Sequence, residues 1–101
     1  MSVLFGPAGN SDSFSRAHKS SLAAPGWLRA FGLDAYEYQC GKGVNVGEET
    51  ARKLGENARK EGIFLSLHAP YFINLANPDP ESLQKTIGYI TAACRAADWM
   101  G

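Results

Sequence analysis

Residues 63–75 read IFLSLHAPYFINL, and this stretch decides how the rest of the chain is interpreted. It begins as a short apolar run, which is typical of a strand that is buried on both faces, as in a parallel sheet. His68 comes at the end of the run, and Pro70 marks the point where the strand gives way to a loop. Ligands of α/β sheets and barrels bind outside the carboxyl ends of the strands. The position of His68 therefore predicts a role in chemistry at that edge of a sheet.

Strand and helix patterns alternate along the rest of the chain. Residues 2–5 (SVLF) predict a first buried strand, and residues 33–39 (LDAYEYQ) predict a second, in which Tyr36 and Tyr38 alternate against Glu37. Helical patterns follow each strand, and they cover residues 15–23, 25–31, 47–61 and 80 onward. The order strand, helix, strand, helix, strand, helix predicts parallel strands joined by right-handed crossovers.

The last helical pattern begins with Asp79 as a plausible N-cap and Pro80 at the first helical position. Apolar residues then recur at intervals of three or four, which predicts that this side of the helix packs on the sheet. The residues of this stripe are Leu83, Ile87, Ile90, Cys94 and Ala97.

Length limits how much of a barrel such a chain can form. A TIM barrel needs about 250 residues, with about 200 near its lower limit, and this sequence has 101. Residues 1–101 are therefore expected to form one domain of three consecutive βα repeats with flanking helices, which is well under half of such a barrel.

Composition bears on the partners and surroundings of the chain. The 10 basic and 10 acidic residues balance, so the electrostatic signature of a nucleic-acid binder is missing. No apolar stretch approaches the roughly 20 residues of a membrane span. Cys40 and Cys94 lie far apart and fit no metal-binding or redox spacing, which favours reduced thiols in a cytoplasmic protein.

Two segments carry a resemblance to a known family. The run LHAPYFINL at residues 67–75, followed by NPDPE at residues 77–81, resembles the third strand and loop of the endonuclease IV family. Those proteins are zinc-dependent DNA-repair enzymes on a TIM barrel, within the wider xylose isomerase-like group. The resemblance implies that residues 1–101 are the N-terminal part of a TIM barrel, a partial barrel of three βα units. It also implies that the parent protein is a phosphodiesterase that cleaves DNA at abasic sites.

The same resemblance implies roles for individual residues. His68 matches the first metal-ligand histidine of the family, and Tyr71 matches the tyrosine that enters the DNA beside the lesion. Asn74 follows at the same loop, where a hydrogen bond within the loop is favoured over one to a ligand. Lys42 in the second strand-to-helix loop is a candidate for a phosphate contact, although an exposed loop lysine usually makes no specific one.

Gly9 and Asn10 lie in the first loop, which in the family faces the active-site mouth, so by analogy they line it. Zinc takes three or four protein ligands, and this sequence holds two histidines, His18 and His68. We therefore expect an incomplete metal site and no activity from this chain by itself.

Two further interpretations stay open. Glu37 could be an inward-facing carboxylate of the kind that isomerase relatives use, but its mid-strand position favours a structural ion pair. A sugar-phosphate isomerase or epimerase of the same superfamily remains an alternative. The other alternative is a non-catalytic fragment with no activity in isolation. The open strand edges of a partial barrel tend to recruit another chain. Self-association through these edges is therefore expected.

Overall fold

The computed structural model describes residues 2–101. Two strands pair in parallel, with Ala35 opposite Phe64 and Gln39 opposite His68. The elements in chain order are α1 (Asp12–Ala17), a 3-10 turn (Ser21–Ala23), α2 (Ala24–Ala30), β1 (Ala35–Gln39), α3 (Glu48–Glu61), β2 (Phe64–His68) and α4 (Pro80–Met100). This parallel sheet with flanking helices confirms the predicted α/β class and is consistent with part of a TIM barrel.

The first strand does not form where the sequence predicted it. The side chains at residues 2–5 are exposed, and residues 5–9 lie along the edge of β1 that β2 leaves open. There Glu37 donates its N–H to Pro7 O at 3.0 Å, and Gly9 donates to Glu37 O at 2.9 Å. Pro7 has no N–H to continue the ladder. The result is one isolated bridge, Ala8 to Glu37, in place of a regular strand.

The sheet has one face covered by helices and one that is open. Tyr36, Tyr38, Leu65 and Leu67 belong to the apolar clusters beneath the helices, which we call the covered face. The opposite set, here the open face, is Ala35, Glu37, Gln39, Phe64, Ser66 and His68. The prediction that the strand at residues 63–68 is buried on both faces is wrong, because Phe64 is 61% exposed. In a complete barrel the side opposite the helices is the interior, filled by side chains of the other strands.

Helix α3 forms as predicted. Glu48 and Glu49 lie in its first turn and Arg59 and Lys60 in its last, so the charges complement the helix dipole. Gly62 ends the helix with φ 69°, a left-handed conformation that glycine adopts without strain. The buried residues of α3 are Ala51, Leu54, Gly55 and Ala58, which lie on one side of the helix at intervals of one, three or four.

Helix α4 is rotated relative to the prediction. Its buried residues are Thr86, Ala93, Ala96 and Met100, whereas Ile87, Cys94 and Ala97 of the predicted stripe are exposed. The reason is close approach to α3, where a Cβ on Gly55 would collide with the Met100 carbonyl. Small residues allow two helices to pack at this separation, so Ala93 and Ala96 face inward while Ile87 does not.

Candidate functional site

A cleft of about 470 Å³ opens at the carboxyl ends of β1 and β2. It combines an imidazole, a phenol, an ammonium group and two amide side chains with the backbone of a glycine-containing loop. The lining residues are Gln39, Gly41, Lys42, Gly43, Asn45, His68 and Tyr71. Sites of this size and position accept small ligands or part of a larger one.

Backbone hydrogen bonds hold the two loops of the cleft together. Cys40 donates its N–H to His68 O at 2.9 Å, which extends the parallel pairing to the last residue of β2. Tyr71 then donates its N–H to Gly41 O at 3.0 Å, so the loop after β2 is tied to the loop after β1. Beneath them the Cys40 thiol is buried, and this burial raises its pKa. The floor of the cleft is therefore anchored, and Cys40 serves packing rather than nucleophilic chemistry.

His68 lies on the open face beside a carboxylate. Its Nδ1 is 3.6 Å from Glu37 Oε1, and the two side chains are 50% and 39% exposed. Gln39 Nε2 donates a hydrogen bond of 2.7 Å to the same carboxylate oxygen. Because strand side chains alternate between faces, Glu37 and Gln39 point to the same side. The register then brings His68 of β2 next to them.

Tyr71 projects from the rim of the cleft. Its side chain is 77% exposed, and its ring meets that of Phe72 edge-to-face with centroids 5.5 Å apart. Phe72 in turn meets Tyr89 of α4 at 4.8 Å in the same geometry. The three rings form a connected aromatic surface at the mouth, and the ring of Tyr71 is available for stacking.

The other four predicted site residues differ in their placement. Lys42 lines the cleft with His68 and Tyr71. Gly9, at φ 84°, lies against Gln39, where a Cβ would come within 2.9 Å of Gln39 Cγ. Gly9 therefore borders the cleft without lining it.

Asn10 and Asn74 are engaged within the chain. Asn10 Oδ1 accepts a 2.6 Å hydrogen bond from the Tyr36 hydroxyl, and Asn10 Nδ2 donates to Ser21 Oγ at 3.0 Å. Burial raises the pKa of Tyr36, so its phenol stays a donor. Asn74 Oδ1 accepts from the Ala76 N–H at 3.1 Å, which is the loop bond the sequence favoured.

Sequence reasoning missed several contributors to the site. Gln39, Gly41, Gly43 and Asn45 line the cleft, and none was selected as a site residue. Alternation along β1 places Gln39 and Glu37 on one face. Only the register, with Gln39 opposite His68, shows that this is the histidine's face.

The described residues do not assemble a metal site by themselves. Within residues 2–101, no three His, Cys, Asp or Glu side chains come together so as to hold a metal ion. His18 lies elsewhere, stacked on Phe14 with ring centroids 5.2 Å apart. A structural or catalytic zinc ion needs at least three protein ligands. The donor set of this chain therefore does not fit zinc without further ligands.

No helix within residues 2–101 is both long enough and apolar enough to cross a membrane.

Comparison with known proteins agrees with the parallel α/β architecture and the polar site at its carboxyl edge. Residues 25–101, well over half of the chain, match the model of the xylose isomerase-like TIM barrel family. The chain belongs to this family. It is also similar to the uncharacterized protein MJ0133 of Methanocaldococcus jannaschii, with 33% identity over 99 residues. That alignment covers 98% of this chain and 34% of the relative, so the chain spans about a third of the length of the curated relative it matches.

Proposed function

We propose that residues 1–101 supply the first three βα units of an endonuclease IV-like barrel, a zinc-dependent phosphodiesterase that cleaves DNA at abasic sites. The observation that carries the proposal is one cleft at the carboxyl edge of the sheet lined by His68, Tyr71 and Lys42. The resemblance of residues 67–75 and 77–81 to the metal-binding loop of that family supports the same assignment.

Each of these three side chains has a chemical role in the proposal. His68 offers a ring nitrogen at the open face, where a metal or a proton can be held. The exposed Tyr71 ring stacks in the gap left by a missing base, because an aromatic face replaces lost base stacking. Lys42 neutralises a phosphate oxygen near the cleft.

The zinc ions belong to the complete protein in this proposal. Clustered metals supply an activated water and stabilise both the attacking and the leaving oxygens of a phosphodiester. The other ligands would have to come from further strands of the barrel, because this chain brings His68 and too few other donors to the cleft. We therefore expect the isolated chain to be inactive.

A chimera provides the test of this function. The matched third of the Methanocaldococcus protein is replaced by residues 1–101, and a labelled duplex with one abasic site is incubated with the chimera and with the chain alone. The proposal expects a metal-dependent nick on the 5′ side of the lesion by the chimera and none by the chain alone. His68→Ala should abolish the nick, and Tyr71→Ala should raise KM more than Tyr71→Phe, which keeps the ring.

The Glu37–His68 pair favours a second candidate, a sugar-phosphate isomerase or epimerase. A carboxylate next to an imidazole is suited to moving a proton on a small carbonyl substrate. The volume of the cleft falls in the range of small-molecule sites. The balanced charge of the chain and the absence of arginine from residues 40–47 also fit a small substrate better than DNA.

The same chimera separates the two candidates. Interconversion of ketose and aldose phosphates, with the abasic duplex left intact, would reject the phosphodiesterase and support the isomerase. Glu37→Gln should then lower kcat on the sugar phosphate, because His68 loses the carboxylate that pairs with its ring.

We also propose that the isolated chain self-associates through β2. Phe64 donates its N–H to Asp34 O, and His68 accepts from Cys40 N, so alternate residues of β2 bond to β1. The backbone groups of Leu65 and Leu67 between them point to the other edge, which has no partner strand within residues 2–101. Such an edge recruits a second strand.

A further inference from the structure

The orientation of the His68 ring follows from its neighbours on the open face. Nδ1 faces the Glu37 carboxylate at 3.6 Å. The opposite edge of the ring faces the loop that follows β1. There, His68 Cδ2 lies 3.9 Å from the position that a Cβ on Gly41 would occupy. Nε2 is bonded to Cδ2 on that side of the ring, and the recorded contact with Glu37 is made by Nδ1, so Nε2 is the ring nitrogen that remains for the cleft.

Glu37 is itself held in place. Gln39 Nε2 donates a 2.7 Å hydrogen bond to Glu37 Oε1, the same oxygen that faces His68. Both residues project from β1 on one side, two positions apart, so the strand geometry fixes their pairing. The carboxylate therefore presents a fixed negative charge to one particular nitrogen of the imidazole.

From this geometry we infer that Glu37 is a positioning residue, which keeps the proton of neutral His68 on Nδ1 and leaves the Nε2 lone pair free in the cleft. A negative charge near one ring nitrogen attracts the N–H to that nitrogen. Carboxylates commonly set the tautomer and direction of a functional histidine in this way. The inference concerns the ring itself, so it stands whether Nε2 meets a metal, a phosphate ester or the proton of a sugar.

The tautomer can be measured directly on the whole chain. Histidine is labelled with ¹⁵N, and long-range ¹H–¹⁵N correlations are recorded at a pH where the imidazole is neutral. His68 should show a protonated Nδ1 and an unprotonated Nε2. His18, which packs between Phe14 and Trp27, is the internal reference. A majority of Nε2–H at His68 in the unmodified chain would overturn the inference.

Substitution of Glu37 tests the cause. Glu37→Gln keeps the shape and removes the charge, and the ratio of Nδ1–H to Nε2–H at His68 should fall about two- to fivefold, the range for one exposed charge pair. Gln39→Ala should shift the ratio in the same direction by less, because the carboxylate loses its amide partner.

The matched control is Glu48→Gln, which removes a somewhat more exposed carboxylate that pairs with Arg52 on α3. It should leave the His68 ratio unchanged. An equal ratio in the unmodified chain and in Glu37→Gln would show that Glu37 does not set the tautomer. A merely structural role would alter stability without moving the tautomer of one histidine. If Glu37→Gln failed to fold, the measurement on the unmodified chain would still decide the question.

Discussion

The two faces of the sheet differ in chemistry although the same two strands form both. On the covered face, Tyr36 is 3% exposed and packs with Leu65 beneath the helices. On the open face, Phe64 is 61% exposed and the polar side chains of Glu37 and His68 meet. The covered face therefore holds the fold together, whereas the open face carries the candidate chemistry. Stability and function can be perturbed separately here, and the following predictions test this separation.

The largest effect is expected from truncation on the covered face. Tyr36→Ala removes a buried ring and leaves Asn10 without its 2.6 Å hydrogen bond. The free energy of unfolding should fall by about 3 to 5 kcal/mol, measured by urea denaturation followed by circular dichroism. Phe64→Ala is the matched change on the open face and should cost less than about 1 kcal/mol. Equal losses of unfolding free energy in the two variants would contradict the difference in burial between the two faces.

The next effect concerns the two thiols. Cys40 continues the covered face beyond β1 and is 2% exposed, whereas Cys94 on α4 is exposed. Because burial also raises the pKa of Cys40, iodoacetamide should modify it at least about 100-fold more slowly than Cys94. Mass spectrometry of timed samples gives both rates, and in denaturant they should become similar. Fast alkylation of Cys40 in the folded chain would contradict the burial.

A smaller effect is expected on assembly. The unmodified chain should show a weight-average mass that rises with concentration in sedimentation velocity, because the β2 edge and the open face lack partners within residues 2–101. Phe64→Lys places a charge at this face and should shift the distribution toward monomer. Thr91→Lys, an exposed change on α4, is the control and should not. A clean monomer at every concentration would reject self-association.

The smallest effect is expected from the N-cap of α4, which stabilises this helix locally and independently of its packing on the covered face. Asp79 caps α4, and its hydrogen bonds from Ser82 Oγ at 2.7 Å and Ser82 N at 3.0 Å lower the pKa of its carboxyl group. A lowered pKa means that the stabilisation is present above the unfolded value of about 3.9 and is lost as the pH falls through the folded pKa.

Asp79→Ala should therefore lower the melting temperature at neutral pH and converge with the unmodified chain in acid. Asp79→Asn keeps a capping oxygen that does not titrate, so it should retain more of the neutral-pH stability and lose this pH dependence. A constant gap between Asp79→Ala and the unmodified chain down to low pH would argue against the cap.

Part of the fold and of the site followed from local patterns. In the sequence, the acidic residues at the start of α3, the basic residues at its end and the glycine after it mark its limits. The alternation of Tyr36 and Tyr38 predicted a strand with two unlike faces. The position of His68 at the end of an apolar run placed it at the carboxyl edge, where the structure has it. Such features depend on the spacing of residues within one element, which the sequence contains in full.

Other features depended on how separate elements pack. The rotation of α4 follows from the close approach of Gly55 to the Met100 carbonyl, which no apolar stripe reveals. The segment at residues 2–5 looked like a buried strand, but its apolar side chains find no cover within residues 2–101 and Pro7 interrupts the pairing that follows.

By itself, the sequence determined the α/β class, the limits of α3 and β2, and the choice of His68 as the residue of interest. Spacing and capping within a single element suffice for these. The tertiary structure decided which side chains surround that histidine: the parallel register brought Glu37 and Gln39 of one strand to the ring of the other. It also decided that Asn10 is used inside the chain. The physical reason is that a register and a helix rotation are set by contacts between residues far apart in the chain, where no local pattern specifies the partner.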